Sequence, residues 1–317
     1  MPLTNTQLLW YDSNVLRLSQ QKRTEYHGQV DRLIAELRKH VENRAELTVT
    51  KVVKAGSFAK FTILRKTNDD PVDVDVVFYI AGKDMNHETF AELSQTIYDM
   101  LTKIYPTKKV EDFEIQRRAA TVTFVGTGLA VDIVPVLQDA KRPNYGWQFD
   151  VSDGSRNETC APCQVQFVAD RKKADSHFRT LVRLGKRWRN HMKPAGLKSF
   201  HIELLMAHLL EVNGSAANIE KRFRDFLMYI AQSGLKKRID FVENRSSAAV
   251  LFSDAVVLID PVNNSNNVAS RIKEEERLEI VKMARESWEA AVFASEEDDV
   301  ELWKEIFGPR FKVGDDE

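Results

Sequence analysis

Two aspartates stand one residue apart inside an apolar run, Val72-Asp73-Val74-Asp75-Val76-Val77-Phe78. Valine and phenylalanine suit a half-buried pleated surface, so the run reads as a core strand. Side chains alternate across a strand, which puts Asp73 and Asp75 on one face. Two like charges that close are unfavourable unless a cation sits between them. Leu129-Ala130-Val131-Asp132-Ile133-Val134-Pro135 repeats the device with one acid. An acid on a strand ordinarily faces solvent, and Asp132 alone would be read that way. Three carboxylates on neighbouring strands suit two magnesium ions, which take oxygen ligands and keep positions open for phosphate.

A second motif precedes the acids. In Val52-Val53-Lys54-Ala55-Gly56-Ser57-Phe58-Ala59-Lys60 a β-rich run ends at Gly56. Ser57 then reads as the N-cap of a short helix. Backbone N–H groups at a helix start, a serine hydroxyl and Lys60 together make an anion site. An isolated Gly-Ser is most often an ordinary turn. Its place between one strand and the acid-bearing strand favours phosphate.

Gly56-Ser57, Asp73-x-Asp75 and a later single Asp132 together resemble the DNA polymerase β-like nucleotidyltransferase superfamily. Lys186, in Leu184-Gly185-Lys186-Arg187-Trp188, resembles the helix lysine of 2′-5′-oligoadenylate synthetases and cyclic GMP–AMP synthases. Ser199-Phe200-His201-Ile202-Glu203 is similar to their next helix start. Asp260-Pro261 with Asn263-Asn264-Ser265-Asn266-Asn267-Val268-Ala269 is similar to a segment of the bacterial cGAS/DncV-like nucleotidyltransferases (CD-NTases). These are the cyclases of CBASS anti-phage systems, and the layout is nearest to their CdnC-like clade. The resemblance spans nearly the whole chain.

The resemblance implies an α+β fold in which a polymerase β-like lobe with a mixed β-sheet is followed by a C-terminal helical lobe, with nucleotides held between them. It sets lobes at 1–160 and 161–317. It implies a cyclase that joins ribonucleoside triphosphates, ATP preferred, into a cyclic di- or trinucleotide with release of pyrophosphate. Asp73, Asp75 and Asp132 are then the catalytic and metal-holding residues, with two Mg2+ ions and Mn2+ as a substitute. Gly56, Ser57, Lys186 and Ser199 hold the donor's phosphates, and Phe200 stacks on its base, where many relatives have tyrosine. A HORMA-domain protein is the implied regulatory partner, with a nucleic-acid activator left open. Two other functions stay in view: a template-independent nucleotidyltransferase acting on RNA or a small molecule, and a binding module without chemistry.

Composition excludes other classes. Of 317 residues, 43% are hydrophobic and 29% charged, enough apolar surface for a sizeable core. No apolar run approaches the ~20 residues of a membrane span, and the start Met1-Pro2-Leu3-Thr4-Asn5 lacks a signal peptide's order. Two cysteines argue against a disulfide framework, so a cytoplasmic protein without membrane association is expected. Cys160-Ala161-Pro162-Cys163 has zinc-like spacing with His177 as the nearest further ligand, but an ordinary loop is the simpler expectation. The tail Gly314-Asp315-Asp316-Glu317 does not end in glycine, which disfavours ubiquitin-like conjugation.

Periodicity supplies the elements. Gln20–Val41 reads as a helix with Tyr26, Val30, Leu33, Ile34, Leu37 and Val41 on one face, and 90–104 as another beginning at Phe90. Strands are expected at 114–118, 120–125 and 129–137, and a loop over 141–161, which is rich in Gly, Pro, Asn and Asp. Helices are expected at 173–191, 199–210, 217–233 and 269–294. Ten lysines and arginines between 171 and 198 face the lone acid Asp175. Apolar residues interleave with them, so one stripe packs inward while Arg183, Lys186 or Arg187 leans over a cleft. Acids gather at Glu296-Glu297-Asp298-Asp299 and in the tail. Asn263–Asn267 reads as turn-forming first.

Overall fold

The computed structural model describes residues 2–43, 48–65, 71–81, 87–245, 250–297 and 299–314, without the side chains of 87–91. Phe90's side chain, Asp298 and the Asp315-Asp316-Glu317 tail lie outside that description. Along the chain run α1 (Asn5–Tyr11), α2 (Gln20–Glu42), β1 (Thr48–Lys54), α3 (Gly56–Ala59), β2 (Val72–Ala81), α4 (His87–Ile104), β3 (Phe113–Ile115), β4 (Ala120–Phe124) and β5 (Leu129–Gln138). Then follow β6 (Gly146–Phe149), β7 (Arg156–Thr159), α5 (Ala161–Ala174), α6 (Phe178–Met192), α7 (Ser199–Asn213), α8 (Ile219–Ser233), β8 (Ile259–Asp260), β9 (Asn263–Asn267), α9 (Glu274–Glu296) and α10 (Trp303–Phe307). Among the described residues no helix is long and apolar enough to cross a membrane.

The chain forms two compact units, Leu18–Gln166 and Met1–Arg17 with Phe167–Glu317. A division at 160 assigns the first seventeen residues to the sheet lobe, whereas they join the helical unit. Tyr11 is fully buried there, its ring centroid 4.7 Å from that of Phe311 in an edge-on arrangement, and Asp12 is buried against Arg183.

In the first unit the strands form a mixed sheet in the order β1-β2-β5-β4-β3, with β6 on the far end of β5 and β7 beside β6. The pair β2–β5 is parallel and its neighbours are antiparallel. Alternation sorts the two faces. Val72, Val74, Val76, Phe78 and Ile80 join Val131 and Ile133 in a core with Val30, Leu33 and Leu37 of α2 and Ile97 and Leu101 of α4. The intervening residues belong to the opposite face, where Val77, Tyr79, Val134 and Val136 pack with Ala55 and Ala161. Asp73, Asp75 and Asp132 lie on that second face, nearer the start of β2.

Two expectations in this unit are corrected. Residues 141–161 are not one loop, because β6 and β7 pair there as an antiparallel hairpin in register Gly146↔Thr159 to Phe149↔Arg156. Asp150 stabilises its tip by accepting from the Ser152 hydroxyl and N–H at 2.6 and 3.1 Å and from Arg117 Nε at 3.0 Å. Cys160-Ala161-Pro162-Cys163 is not the ordinary loop expected: it leads into α5 and its two cysteines are bonded to each other, so neither presents a thiolate to zinc.

The helical unit departs from its sequence reading in a different way. The single helix expected at 173–191 is two, broken where buried Asp175 takes Arg222 Nη2 at 2.5 Å and the N–H of His177 at 2.9 Å. Nor is α6 a helix with a solvated basic face, since Thr180 to Trp188 are all buried. Arg183 does not lean over a cleft: its Nε and Nη2 donate to Asp12 Oδ1 and Oδ2 at 2.5 and 2.6 Å. Arg187 Nε donates to the Phe307 carbonyl at 2.6 Å. A buried guanidinium needs its donors paired, which is why both turn inward. Asn263–Asn267 is a strand, β9, paired with β8, and its Asn264 and Asn267 amides donate to the backbone carbonyls of Asn244 and Val256.

Candidate active site

The acids gain their geometry from register. On the parallel pair β2–β5, Asp75 faces Asp132 and Asp73 faces Ala130. Facing residues on adjacent strands project to the same side, so the three carboxylates form one acidic corner. The row continues across the sheet, since Asp132 faces Thr121 on β4 and Thr121 faces Glu114 on β3. Thr121 Oγ1 donates to Asp132 Oδ1 at 2.6 Å. Burial drives the Asp132 pKa up to about 6, with Asp75, Asp73 and Glu114 adding to the rise and the Thr121 hydrogen bond opposing it. Neither Thr121 nor Glu114 is marked out in the sequence, because what selects them is strand pairing and not a local pattern.

Among the described residues no three His, Cys, Asp or Glu side chains stand together as a metal-holding cluster. The donor set still fits a hard divalent cation. All three groups offer carboxylate oxygen on one face of the parallel pair.

Gly56 is pressed against this corner. Its φ is +58°, and a Cβ built there would stand 1.6 Å from Asp75 Oδ2. The chain therefore turns beside the carboxylate in a way open to glycine alone. The Ala55 N–H donates to the Asp75 carbonyl at 2.8 Å, tying the turn to β2. Ser57 is not the N-cap of α3, as expected from sequence; Ala55 holds that position and Ser57 lies inside a single helical turn. The Ser57 carbonyl accepts the N–H groups of Thr62 and Ile63 at 3.0 and 3.1 Å. The Arg23 guanidinium covers Phe58 and Phe61 and donates to the Phe58 carbonyl at 2.6 Å, which braces the loop. Lys60 is buried.

The helical unit carries the other predicted residues, Lys186 on α6 and Ser199 and Phe200 on α7. Gly185 on α6 lets α7 approach closely, since a Cβ there would meet Ile202 Cγ2 at 2.6 Å. Its neighbour Lys186 is buried. One turn further, Arg189 Nη1 donates to Ser199 Oγ at 3.2 Å and Arg189 Nε to the Leu197 carbonyl at 2.8 Å. Ser199 and Phe200 are half-buried in the first turn of α7, whose N-cap is Lys198. Arg189, on α6 among the ten basic residues of 171–198, and His201, inside the Ser199-Phe200 motif, carry no assigned role in the sequence; their signal there is adjacency to Lys186 and Phe200.

Comparison with known proteins identifies the family. Residues 3–166 match the Second Messenger Oligonucleotide or Dinucleotide Synthetase domain (SMODS). The chain is 62% identical to a CBASS oligonucleotide cyclase CdnC of Escherichia coli (strain KTE188), over 99% of both chains. It is 32% identical to a cyclic AMP-AMP-AMP synthase of E. coli (strain MS 115-1), over 94% of both. Solved structures of E. coli MS115-1 CdnC superpose on it with TM-score 0.83 for the form with ATP and 0.81 for the complex with HORMA-deltaN. Those two are 31% and 30% identical and are covered over 99% and 98% of their length by 98% of this chain. With a SMODS domain over more than half of its length and a full-length match at this identity, the chain belongs to the CdnC-like CD-NTases of CBASS and is a nucleotidyltransferase.

Proposed function

We propose that this protein joins ribonucleoside triphosphates, ATP preferred, into a cyclic di- or trinucleotide second messenger for anti-phage defence. The observation that carries the reading is the rung Asp75–Asp132 with Asp73 on the same face and Gly56 packed on the Asp75 carboxylate. Asp73 and Asp75 would hold two Mg2+ ions, with Mn2+ as a substitute, and Asp132 would hold one of them. Bound there, the ions would lower the acceptor hydroxyl's pKa and neutralise charge on the leaving pyrophosphate.

The remaining roles fall to the chain itself. The backbone N–H groups of Gly56 and Ser57 and the Ser57 hydroxyl are assigned to donor phosphates, as are Lys186 and Ser199. Phe200 is assigned to a base, which stacking accepts whatever its identity. In each step a ribose hydroxyl oxygen bonds to an α-phosphorus, the α–β anhydride bond breaks, and pyrophosphate leaves with the electron pair. The linear product closes by the same exchange. The 32% identical cyclic AMP-AMP-AMP synthase supports three adenosines as the first product to seek. The complex of MS115-1 CdnC with HORMA-deltaN supports a HORMA-domain partner for this chain also; a nucleic-acid activator is scored in the same assay.

The test is mass spectrometry of phosphatase-resistant products from all four ribonucleotides, with and without a HORMA-domain protein, added nucleic acid and chelator. A cyclic adenine oligonucleotide and released pyrophosphate are expected, both lost in Asp73→Ala/Asp75→Ala. Unchanged turnover in that variant removes the metal-site assignment. Linear tails on added RNA in place of a ring would refute the cyclase.

A further inference from the structure

The asparagine-rich segment Asn263–Asn267 has no part in the chemistry above, yet it is wired to the start of α7 through one side chain. His201 lies in the first turn of α7 and is buried. Its Nδ1 accepts the backbone N–H of Lys198 at 3.1 Å, and its Nε2 stands 3.0 Å from the Val268 carbonyl. An amide N–H only donates and a carbonyl only accepts, so Nδ1 must be bare and Nε2 must carry the proton. The two contacts admit one neutral tautomer and no other protonation state. Burial, together with the cations Lys198 and Arg189, accordingly holds the pKa down at about 4, against the opposing pull of the Val268 carbonyl.

The far end of this bridge is itself held rigidly. The Val268 N–H donates to the Leu258 carbonyl at 2.9 Å. The buried Asn267 amide spends its full capacity on the same loop. Its Oδ1 accepts from the N–H groups of Leu258 and Ala269 at 2.9 and 3.1 Å, and its Nδ2 donates to the Val256 carbonyl and Asp254 Oδ2, both at 2.8 Å. Around the ring the wall is apolar, made by Leu197, Leu205, Ile239, Leu258 and Ala269. Glutamate, the usual third residue of a capping box, would accept from the N-cap but has no proton for Val268.

We infer that His201 is a positioning residue, locking the Asn267–Val268 loop to the helix start so that Ser199 and Phe200 are held in the orientation that receives nucleotide. The inference rests on the reading that Ser199 and Phe200 contact the donor. Kinetics and thermal stability of His201→Asn and His201→Gln test it, beside Ser199→Ala and Phe200→Ala. Asparagine keeps an acceptor where Nδ1 stands and loses the reach to Val268; glutamine carries both an acceptor and a donor. Losing one buried hydrogen bond at the helix start should raise the KM for ATP about five- to tenfold in His201→Asn, with kcat little changed. Glutamine should recover most of that loss.

If Ser199→Ala and Phe200→Ala both leave KM unchanged, the underlying reading fails, and the inference with it. If they raise KM while His201→Asn only lowers the melting temperature, the contact assignment survives and the positioning role is overturned. Should His201→Asn not fold, hydrogen exchange on the unaltered protein decides. Mg·ATP should then slow exchange over 198–204 and 256–270 together, and protection confined to 198–204 would refute the coupling.

Discussion

Replacing Gly56 by alanine probes the acidic corner without touching an acid. The new Cβ would stand 1.6 Å from Asp75 Oδ2 and 2.6 Å from its Cγ, so the carboxylate cannot keep its place. At φ +58° a non-glycine residue costs about 1–2 kcal/mol, and pushing Asp75 off its rotamer costs about 0.5–1.5 kcal/mol more. Gly56→Ala should therefore lose roughly 2–3 kcal/mol of stability by urea unfolding. Activity should fall further than stability, by about 100-fold or more, because a displacement on the order of 1 Å at a reacting group carries that penalty. Pyrophosphate release at saturating Mg·ATP measures the second effect. A double-mutant cycle isolates the cause: in an Asp75→Ala background the carboxylate term disappears, and only the backbone cost of about 1–2 kcal/mol should remain. Equal costs in both backgrounds would show that Asp75 is not what Gly56 accommodates. A Gly56→Ala protein within threefold of unaltered activity would refute the reasoning outright.

Gly185→Ala should overpack α6 against Ile202 and Met206, costing about 1–3 kcal/mol in chemical denaturation and weakening ATP binding measured by calorimetry. Asp12→Ala leaves Arg183 buried without its carboxylate and should cost about 3–5 kcal/mol, much of it recovered in Asp12→Ala/Arg183→Met; a single-variant loss below about 1 kcal/mol would contradict the pairing. The folded-state pKa of His201 lies below its ordinary 6.5, at about 4, so its contribution to stability is intact above pH 6.5 and falls as pH drops towards 4. Lys198 and Arg189 both oppose the charged ring. That slope amounts to about 3 kcal/mol across the interval, and comparing urea midpoints of the parent and His201→Gln from pH 7 to 4.5 should show it vanish in the variant.

Short-range patterning is legible in this chain because side-chain periodicity is a local property. The 3.6-residue spacing from Tyr26 to Val41 specifies α2 almost to its ends. The alternation around Asp73 and Asp75 gives both the strand and the shared face, and Asp132 falls on β5 by the same argument. Gly56 is readable as the end of a strand, although its closeness to Asp75 is not. Where polar residues decide the outcome, local reading fails. The loop-like composition of 141–161 conceals a hairpin held by Asp150, and the basic block at 171–198 conceals a buried helix whose arginines are claimed by Asp12 and the Phe307 carbonyl.

By itself the sequence determined which segments are helices and strands in the apolar parts of the chain, and that three acids lie on strand faces. Only the tertiary structure decided that Asp75 and Asp132 share a rung, that Thr121 holds one of Asp132's oxygens, that residues 1–17 belong with the helices, and that His201 ties α7 to Val268. The reason is physical. A residue's face follows from its immediate neighbours, whereas register, burial of charge and long-range hydrogen bonds depend on partners distant along the chain, chosen by the packing of the whole unit.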